Sequence, residues 1–373
     1  MKYANAHFQT ALGFLADYDG SLPLAVFLKQ QFALSKKYGS KDRRSISALC
    51  YAFFRAGQAF KHLPLPEALC QALALQPTTQ DAWKDIFPVD FLPMEWSADN
   101  IFPFAPALST GIDSEDFALS HLHQPKVYLR VRPGKMNKVK QALVAAGVEW
   151  IEEGGDALSV APGTDIEKTI ALNRDAVVQD ISSQRVAQFF KTLAGHLPPR
   201  PTVWDCCAAS GGKSILATDH LDRPRLTVSD IRPTILRNLH QRMAQAGIAL
   251  EKSFVADLTK PLVMTDTFDL VICDAPCSGS GTWSRTPEQL YFYAPEKGAP
   301  YAQMQTKILQ HVLPAVKQQG FLLYLTCSVF QAENEDHVKA LMVTGKWELV
   351  EQRLLTGYHQ QADTLFGALL RKK

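Results

Sequence analysis

No uninterrupted apolar run in these 373 residues approaches the roughly 18 needed by a membrane-crossing helix, so no membrane partner is expected. The opening residues Met1-Lys2-Tyr3-Ala4-Asn5-Ala6-His7 lack the apolar core of a secretory signal. An excess of either charge is also missing. The sequence carries 39 basic and 37 acidic residues, a balance that neither demands nor excludes nucleic acid, because a local basic stripe binds phosphates while the total stays near zero. Metal-ligand spacing is lacking too. There is no CxxC, and neither Cys206-Cys207 with Cys273 and Cys277 nor His121 and His123 completes a zinc set, so no metal is expected. Internal repeats and low-complexity tracts are absent. The seven cysteines are an odd number and read as free thiols of a reduced, cytoplasmic protein, expected to be a monomer.

What is present suffices for two or three domains of roughly 100–200 residues each. A content of 46% hydrophobic and 20% charged residues fits a soluble protein with a substantial core. Residues 1 to about 75 read as helices, with apolar residues at helical spacing in Ala25-Val26-Phe27-Leu28 and at Ile46, Leu49, Phe53 and Phe54. Between them lies the basic turn Lys36 to Arg44, with Gly39 as a helix stop and Ser40 as a cap. Pro77, Pro88, Pro93, Pro103 and Pro106 make 76–115 a stretch of short helices and loops. Residues 116–175 read as a small α/β module: Val127 to Arg132 alternates as a strand closed by Pro133-Gly134, Lys135 to Ala146 is a basic amphipathic helix, and Val148 to Val160 supplies further strands. From 176 to 373 strands alternate with helices. The apolar runs are Thr202–Cys207, Leu226–Asp230, Lys252–Asp257, Phe268–Asp274 and Gly320–Cys327, with Trp347–Leu355 and Thr364–Leu370 as a closing pair. This rhythm predicts a doubly wound, mostly parallel sheet.

Two cysteines stand at strand ends, where open α/β sheets do their chemistry: Cys277 in Asp274-Ala275-Pro276-Cys277-Ser278-Gly279-Ser280-Gly281, and Cys327 in Thr326-Cys327-Ser328. A thiolate is a nucleophile for electrophilic carbon, so the pair points to covalent catalysis on an electrophilic ring. The alternative is a Pro/Gly loop with an incidental thiol. Cys50, Cys70, Cys206, Cys207 and Cys273 lie in apolar segments and read as small core residues. The segment Asp205-Cys206-Cys207-Ala208-Ala209-Ser210-Gly211-Gly212-Lys213-Ser214 follows a strand and opens a helix. It fails the P-loop pattern, because Cys207 stands where a glycine is required, and it fails the dinucleotide GxGxxG spacing. It remains either a compact loop suited to a carboxylate or an ordinary tight turn. Asp230, ending the second strand, is placed to accept ribose hydroxyls, and Asp257, ending the third, to meet an adenine amino group; capping is the plainer role for each. Together these positions favour S-adenosyl-L-methionine over a nicotinamide dinucleotide.

These motifs resemble the RsmB/NSUN-type RNA cytosine-5 methyltransferases, also called the Fmu family. Residues 205–214 look like D-x-C-A-A-P-G-G-K-T, 274–281 like D-A-P-C-S-G-T-G, 326–335 like T/S-C-S-V-x-x-x-E-N-E, and Gln179-Asp180 with Ser183-Gln184 like Q-D-x-x-S-Q. The ordered set covers about 176–373. Gly39 to Arg55 is similar to the basic turn and helix of a NusB-like RNA-binding domain, and 118–170 to the small linker domain of the bacterial rRNA members. Two departures are Ser210 for the usual Pro and Arg130-Val131-Arg132 for R-x-N.

The resemblance implies a Rossmann-like methyltransferase domain with a seven-stranded, mostly parallel sheet at 176–373. It also implies an all-α NusB-like domain at 1–115 and a linker module at 116–175. It assigns Cys327 as the nucleophile, Cys277 as the thiol that resolves the adduct, Asp274 as a partner of the ring beside its ring nitrogen, and Lys213 as the organiser of Asp274. Cofactor contacts fall on Cys207, Ala208, Ala209, Ser210, Gly211, Gly212, Lys213, Asp230, Arg232, Asp257 and Asp274. Arg43, Arg44, Lys135, Lys138 and Lys140 are candidate phosphate contacts; a solvated charged face is the plainer reading of each. The expected activity is 5-methylcytosine formation in RNA, small-subunit rRNA before tRNA. A non-catalytic RNA-binding assembly factor is the alternative of another class, against which the intact Cys277, Cys327, Asp274 and Lys213 stand.

Overall fold

The computed structural model describes residues 3–373 apart from 36, 77–82, 84–85, 89 and 263. Met1, Lys2, Lys36 and Pro77 therefore lie outside the described residues. The chain divides into two compact units. One comprises Met1–Leu108, Ile112–Pro125 and Thr282–Pro295; the other comprises Ser109–Gly111, Lys126–Gly281 and Glu296–Lys373.

The first unit is helical. It contains α1 (Ala4–Asp17), α2 (Leu24–Ala33), α3 (Ser40–Arg55) and α4 (Leu65–Ala74). Ile46, Leu49, Phe54, Leu69 and Leu73 are fully buried, as their helical spacing predicts. The start of α3 differs from expectation. α2 has already ended at Ala33, so Gly39 is not its stop; Gly39 precedes α3, and its N–H is taken by the Asp42 carboxylate (2.9 Å), which leaves Ser40 as the first helical residue. At the end of α3, the buried Arg55 guanidinium donates to the carbonyls of His121, His123 and Ser284. Between 91 and 107 only a four-residue helix, Ala98–Ile101, and one 3-10 turn form, in keeping with the proline content.

The second unit holds two sheets. The smaller runs in the order β2 (Trp150–Gly154), β3 (Ala157–Val160), β1 (Val127–Val131), β4 (Ala176–Val178) and is antiparallel between named strands. Leu129 and Val131 pack against Val139 and Leu143 of the helix Met136–Ala145. Both faces of β1 are covered. Tyr128 and Arg130, on its other face, are buried too, and Arg130 is ion-paired with the buried Asp219 and hydrogen-bonded to Gln179.

The larger sheet has seven strands in the order β10 (Trp347–Leu355), β11 (Leu365–Lys372), β9 (Val316–Thr326), β8 (Phe268–Asp274), β5 (Thr202–Asp205), β6 (Arg225–Asp230), β7 (Lys252–Val255). The five strands from β9 to β7 pair in parallel, and β11 pairs antiparallel with both its neighbours. The strands read as apolar runs because both faces are covered. On one, Val203, Leu270, Ile272, Leu323 and Leu325 meet Phe189, Phe190, Ile215 and Leu239; on the other, Trp204, Val271, Leu322 and Tyr324 meet Ile308, Leu309 and Val338. The chain winds outward from β5 to β7 and then returns to add β8 on the opposite side of β5. The β5–β8 boundary is thus the topological switch point, where the C-terminal ends of an open sheet leave a crevice. No helix among the described residues is long and apolar enough to cross a membrane.

Candidate active site

Three loops leave adjacent strand ends at this switch point: 206–211 after β5, 275–281 after β8, and 327–334 after β9. The parallel register sets Asp274 opposite Leu325, so Cys277 and Cys327 leave neighbouring strands at the same edge. Their sulfur atoms stand 3.3 Å apart. Both thiols are half-buried rather than packed away. The hydrogen bond with Cys327, and then burial, push the Cys277 thiol above its ordinary range. Lys213 Nζ lies 2.9 Å from Asp274 Oδ2, in a pair only 13% and 29% exposed, so the Coulomb attraction is weakly screened. Burial alone lowers Lys213, but the adjacent Asp274 outweighs it and Cys327 adds to it, holding the ammonium above its usual range. The structure thus brings all four expected catalytic residues, Cys327, Cys277, Asp274 and Lys213, to one corner.

Gly281 ties the second loop to the third. Its N–H donates to the Cys327 carbonyl (2.8 Å) and its own carbonyl accepts from Thr364 N–H (2.9 Å). A Cβ there would lie 1.9 Å from the Thr364 carbonyl oxygen, so the close approach demands glycine.

The β5 loop has the features of an anion and nucleoside cradle. Gly212 opens the nine-residue helix Gly212–His220, whose first N–H groups are unpaired within the helix. Ala208 N–H donates to Ser229 O, Ala209 N–H to Asp230 Oδ2 (3.0 Å), and Gly211 N–H to Ala208 O. Asp230 also accepts from the Arg232 backbone and guanidinium, which outweighs the effect of its burial and lowers its pKa. Asp205, at the end of β5, is wholly buried; it accepts from Ser214 Oγ (2.6 Å), while its Oδ1 has no partner. An orphaned buried oxygen, small residues at the turn and carboxylates at two strand ends fit a polar ligand with a carboxylate and a sugar. Asp257 fits less directly. β7 stops at Val255, and the Asp257 carboxylate caps its own turn by accepting from Thr259 N and Oγ1 (3.1 and 2.6 Å), the plainer of its two expected roles. Cys207 is half-buried, not a core residue, whereas Cys206 and Cys273 are fully buried as expected.

Residues 194–366 match a family model described as 16S rRNA methyltransferase RsmB/F. The likeness to the RsmB/F methyltransferases lies in that segment. It contains the three loops entire. The sequence is 29% identical over 237 residues to a probable ribosomal RNA small subunit methyltransferase B of Bacillus subtilis, covering 61% of this chain and 52% of that protein. The chain spans about half the length of the curated relatives it matches. Its fold is similar to that of the crystal structure of PH0851, with a TM-score of 0.72 at 19% identity over 98% of each chain. It is also similar to NSun6 from Pyrococcus horikoshii, solved with SFG, with a TM-score of 0.60 at 15% identity over 74% of this chain and 96% of that one. These last two likenesses are of fold. The expected cofactor, S-adenosyl-L-methionine, agrees with the RsmB/F likeness.

Within the matched segment, Glu333-Asn334-Glu335 has a task that no local pattern in the sequence announces. The buried Glu333 carboxylate ties the two cysteine loops together: it accepts from Ser278 N (2.8 Å), beside Cys277, and from Ser328 Oγ (2.7 Å), beside Cys327. Gln305 Nε2 donates to Glu333 (3.1 Å) and to the Pro276 carbonyl (3.0 Å), and His337 is bonded to Gln305 Oε1. Asn334 donates to the Ser328 carbonyl, and Glu335 accepts from Ser109 Oγ and Thr110 N. Replacing Glu333 by alanine leaves buried donors without an acceptor, so a loss of about 1–3 kcal/mol is expected, with Glu333→Gln losing less. The denaturant midpoint checks this; equal midpoints for both variants and the wild type contradict the clamp.

Asp205 supplies a pH signature. Burial raises its pKa from the ordinary 3.8 to about 7. A raised folded-state pKa means that the folded chain binds the extra proton, so this contribution to stability is full below 3.8 and is lost as pH rises through 7. Between those limits, the wild type is expected to lose more unfolding free energy than Asp205→Asn, as measured by urea titration at several pH values.

The phosphate candidates scatter. Arg43 and Arg44 are exposed on α3, with Arg43 Nε donating to the Tyr38 carbonyl. Lys138 pairs with Asp175 and Lys140 with Glu152, so the expected free basic face of the helix Met136–Ala145 is partly neutralised.

Proposed function

We propose that this chain methylates carbon 5 of a cytosine in RNA, with small-subunit rRNA as its substrate, using S-adenosyl-L-methionine and a covalent adduct on Cys327. The observation that carries this reading is the pair of sulfur atoms 3.3 Å apart at the ends of β8 and β9, beside the Lys213–Asp274 ion pair. The match of 194–366 to a family model described as 16S rRNA methyltransferase RsmB/F supports the substrate.

The chemistry explains why thiols are needed. Carbon 5 of cytosine is a poor nucleophile. When the Cys327 thiolate forms a bond to carbon 6, the ring electrons shift and carbon 5 becomes enamine-like. Bound S-adenosyl-L-methionine supplies the methyl group. With S-adenosylhomocysteine as the leaving group, the carbon-5 proton passes to Cys277 acting as a thiolate base, and its electron pair expels the Cys327 thiolate from carbon 6 and restores the aromatic ring. Cys277 promotes that release, and Asp274, organised by Lys213, hydrogen-bonds the ring beside its ring nitrogen. A free thiol of pKa about 8.5 is only a few per cent ionised at neutral pH. The Lys213 ammonium, paired with Asp274, supplies positive charge at this edge.

The cofactor is held by the 207–213 turn, with its carboxylate at the helix start and its ribose at Asp230, flanked by Arg232; Asp257 and Asp274 complete the edge. The NSun6 neighbour was solved with SFG, an S-adenosylmethionine analogue, which supports this cofactor. Residues 1–115 and the module at 116–175 serve RNA binding, with Arg43, Arg44 and Lys135 as phosphate contacts in the cytoplasm. The target base must leave any stack, so an unpaired cytosine is the preferred site. Bisulfite mapping of rRNA and tRNA from cells with and without the protein tests the proposal. One small-subunit rRNA cytosine should lose its methyl group; loss confined to tRNA, or no loss, overturns the rRNA assignment.

A further inference from the structure

The turn that cradles the proposed cofactor is strained, and one side chain outside the expected site grips it. Ala209 has φ 45° and Gly211 has φ 84°, so Ser210 is flanked by two left-handed residues. For alanine that conformation costs on the order of 1–2 kcal/mol and persists only where the surroundings hold it. On one side the hold is Asp230, which accepts from Ala209 N–H. On the other it is Arg242, whose Nη1 donates to both the Ser210 carbonyl (2.9 Å) and the Ser210 hydroxyl (2.6 Å).

Arg242 is itself fixed from behind. Its Nε donates to Asn173 Oδ1 (2.9 Å), on the segment that leads into β4 of the small sheet. Asn173 is buried and left-handed (φ 65°); its side chain donates to Gln245 and its carbonyl accepts from Arg132, which also binds Ala246 O and Asp219. The planar guanidinium suits this task, because donors fixed in one fork reach two acceptors at one end and a third at the other. The same helix, Pro233–Ala246, presses on the turn at the next residue: a Cβ on Gly211 would lie 2.4 Å from Met243 Cε.

We propose that Arg242 is a positioning residue for cofactor binding, a latch that holds the strained turn at Ser210 and couples its shape to Asn173 of the small module. The inference rests on the cofactor reading above. It follows that the latch should become dispensable if the backbone at position 210 is fixed covalently. Proline does this by locking φ near −65° in the folded and unfolded chain alike.

The test is a double-mutant cycle on the full chain, read by calorimetric binding of S-adenosylhomocysteine, with amide hydrogen exchange of 208–212 in the ligand-free protein as the second readout. Arg242→Ala should weaken binding about 10-fold and speed exchange of the turn, with an unchanged circular dichroism spectrum. Arg242→Lys, a point charge without the fork, should lose most of the same factor. In a Ser210→Pro chain, Arg242→Ala should change affinity less than 2-fold. Equal losses in both backgrounds, or unaltered exchange of the turn in Arg242→Ala, overturn the latch. If the wild type does not bind the probe, the cofactor reading fails instead, and exchange alone decides the latch, as it does if Ser210→Pro does not fold.

Discussion

Cys327→Ala is expected to lower methyl transfer by roughly 10^3-fold or more, because the proposed activation of carbon 5 requires addition of this sulfur to carbon 6. The loss should appear in the chemical step, because the thiol is assigned to the reacting ring. The substitution should leave stability nearly unchanged. Cys327 is half-buried, and its removal opens no sealed core volume. Single-turnover methylation with labelled cofactor and an rRNA fragment measures the first effect, and thermal unfolding the second. Residual turnover within 10-fold of wild type would place the nucleophile elsewhere.

Cys277→Ala should fail at the opposite end of the cycle. The adduct on Cys327 still forms and accepts its methyl group, but release slows by about 10^2–10^4-fold, the range of a lost proton-transfer group. Protein and RNA should therefore migrate together on a denaturing gel in proportion to the cofactor supplied, and the double variant Cys277→Ala, Cys327→Ala should show no such band. The two sulfur atoms are only 3.3 Å apart, so opposite phenotypes would establish a division of labour that proximity alone does not. A Cys277→Ala protein that turns over without accumulating adduct removes Cys277 from release.

Much of the catalytic fold was legible in the chain. Parallel strands buried on both faces leave apolar runs, so Val203-Trp204, Leu270 to Cys273 and Leu322 to Leu325 announced themselves, and the polar turns after them marked the strand ends. Chemistry concentrated where those runs stop. What escaped depends on partners remote in sequence. Alternation marked β1 as a strand but not the partner of its buried Arg130, which is Asp219, 89 residues away. Glu333 serves Ser278, 55 residues earlier, and no local pattern reveals that. Arg242 looks like any polar residue of an amphipathic helix until Ser210 is placed beside it. Asp257 shows both of its expected roles at once: it lies just beyond a strand end, and Thr259, two residues on, bonds its Oδ1.

The central claim is a sulfur–carbon bond between Cys327 and a pyrimidine ring. The most direct measurement is tandem mass spectrometry of the complex trapped by the Cys277→Ala variant with S-adenosyl-L-methionine and small-subunit rRNA, digested with nuclease and protease. The account predicts a peptide containing position 327 that carries a methylated cytidine nucleotide on sulfur. The same mass on any other residue, or no cross-linked peptide from a protein that still methylates, would contradict it.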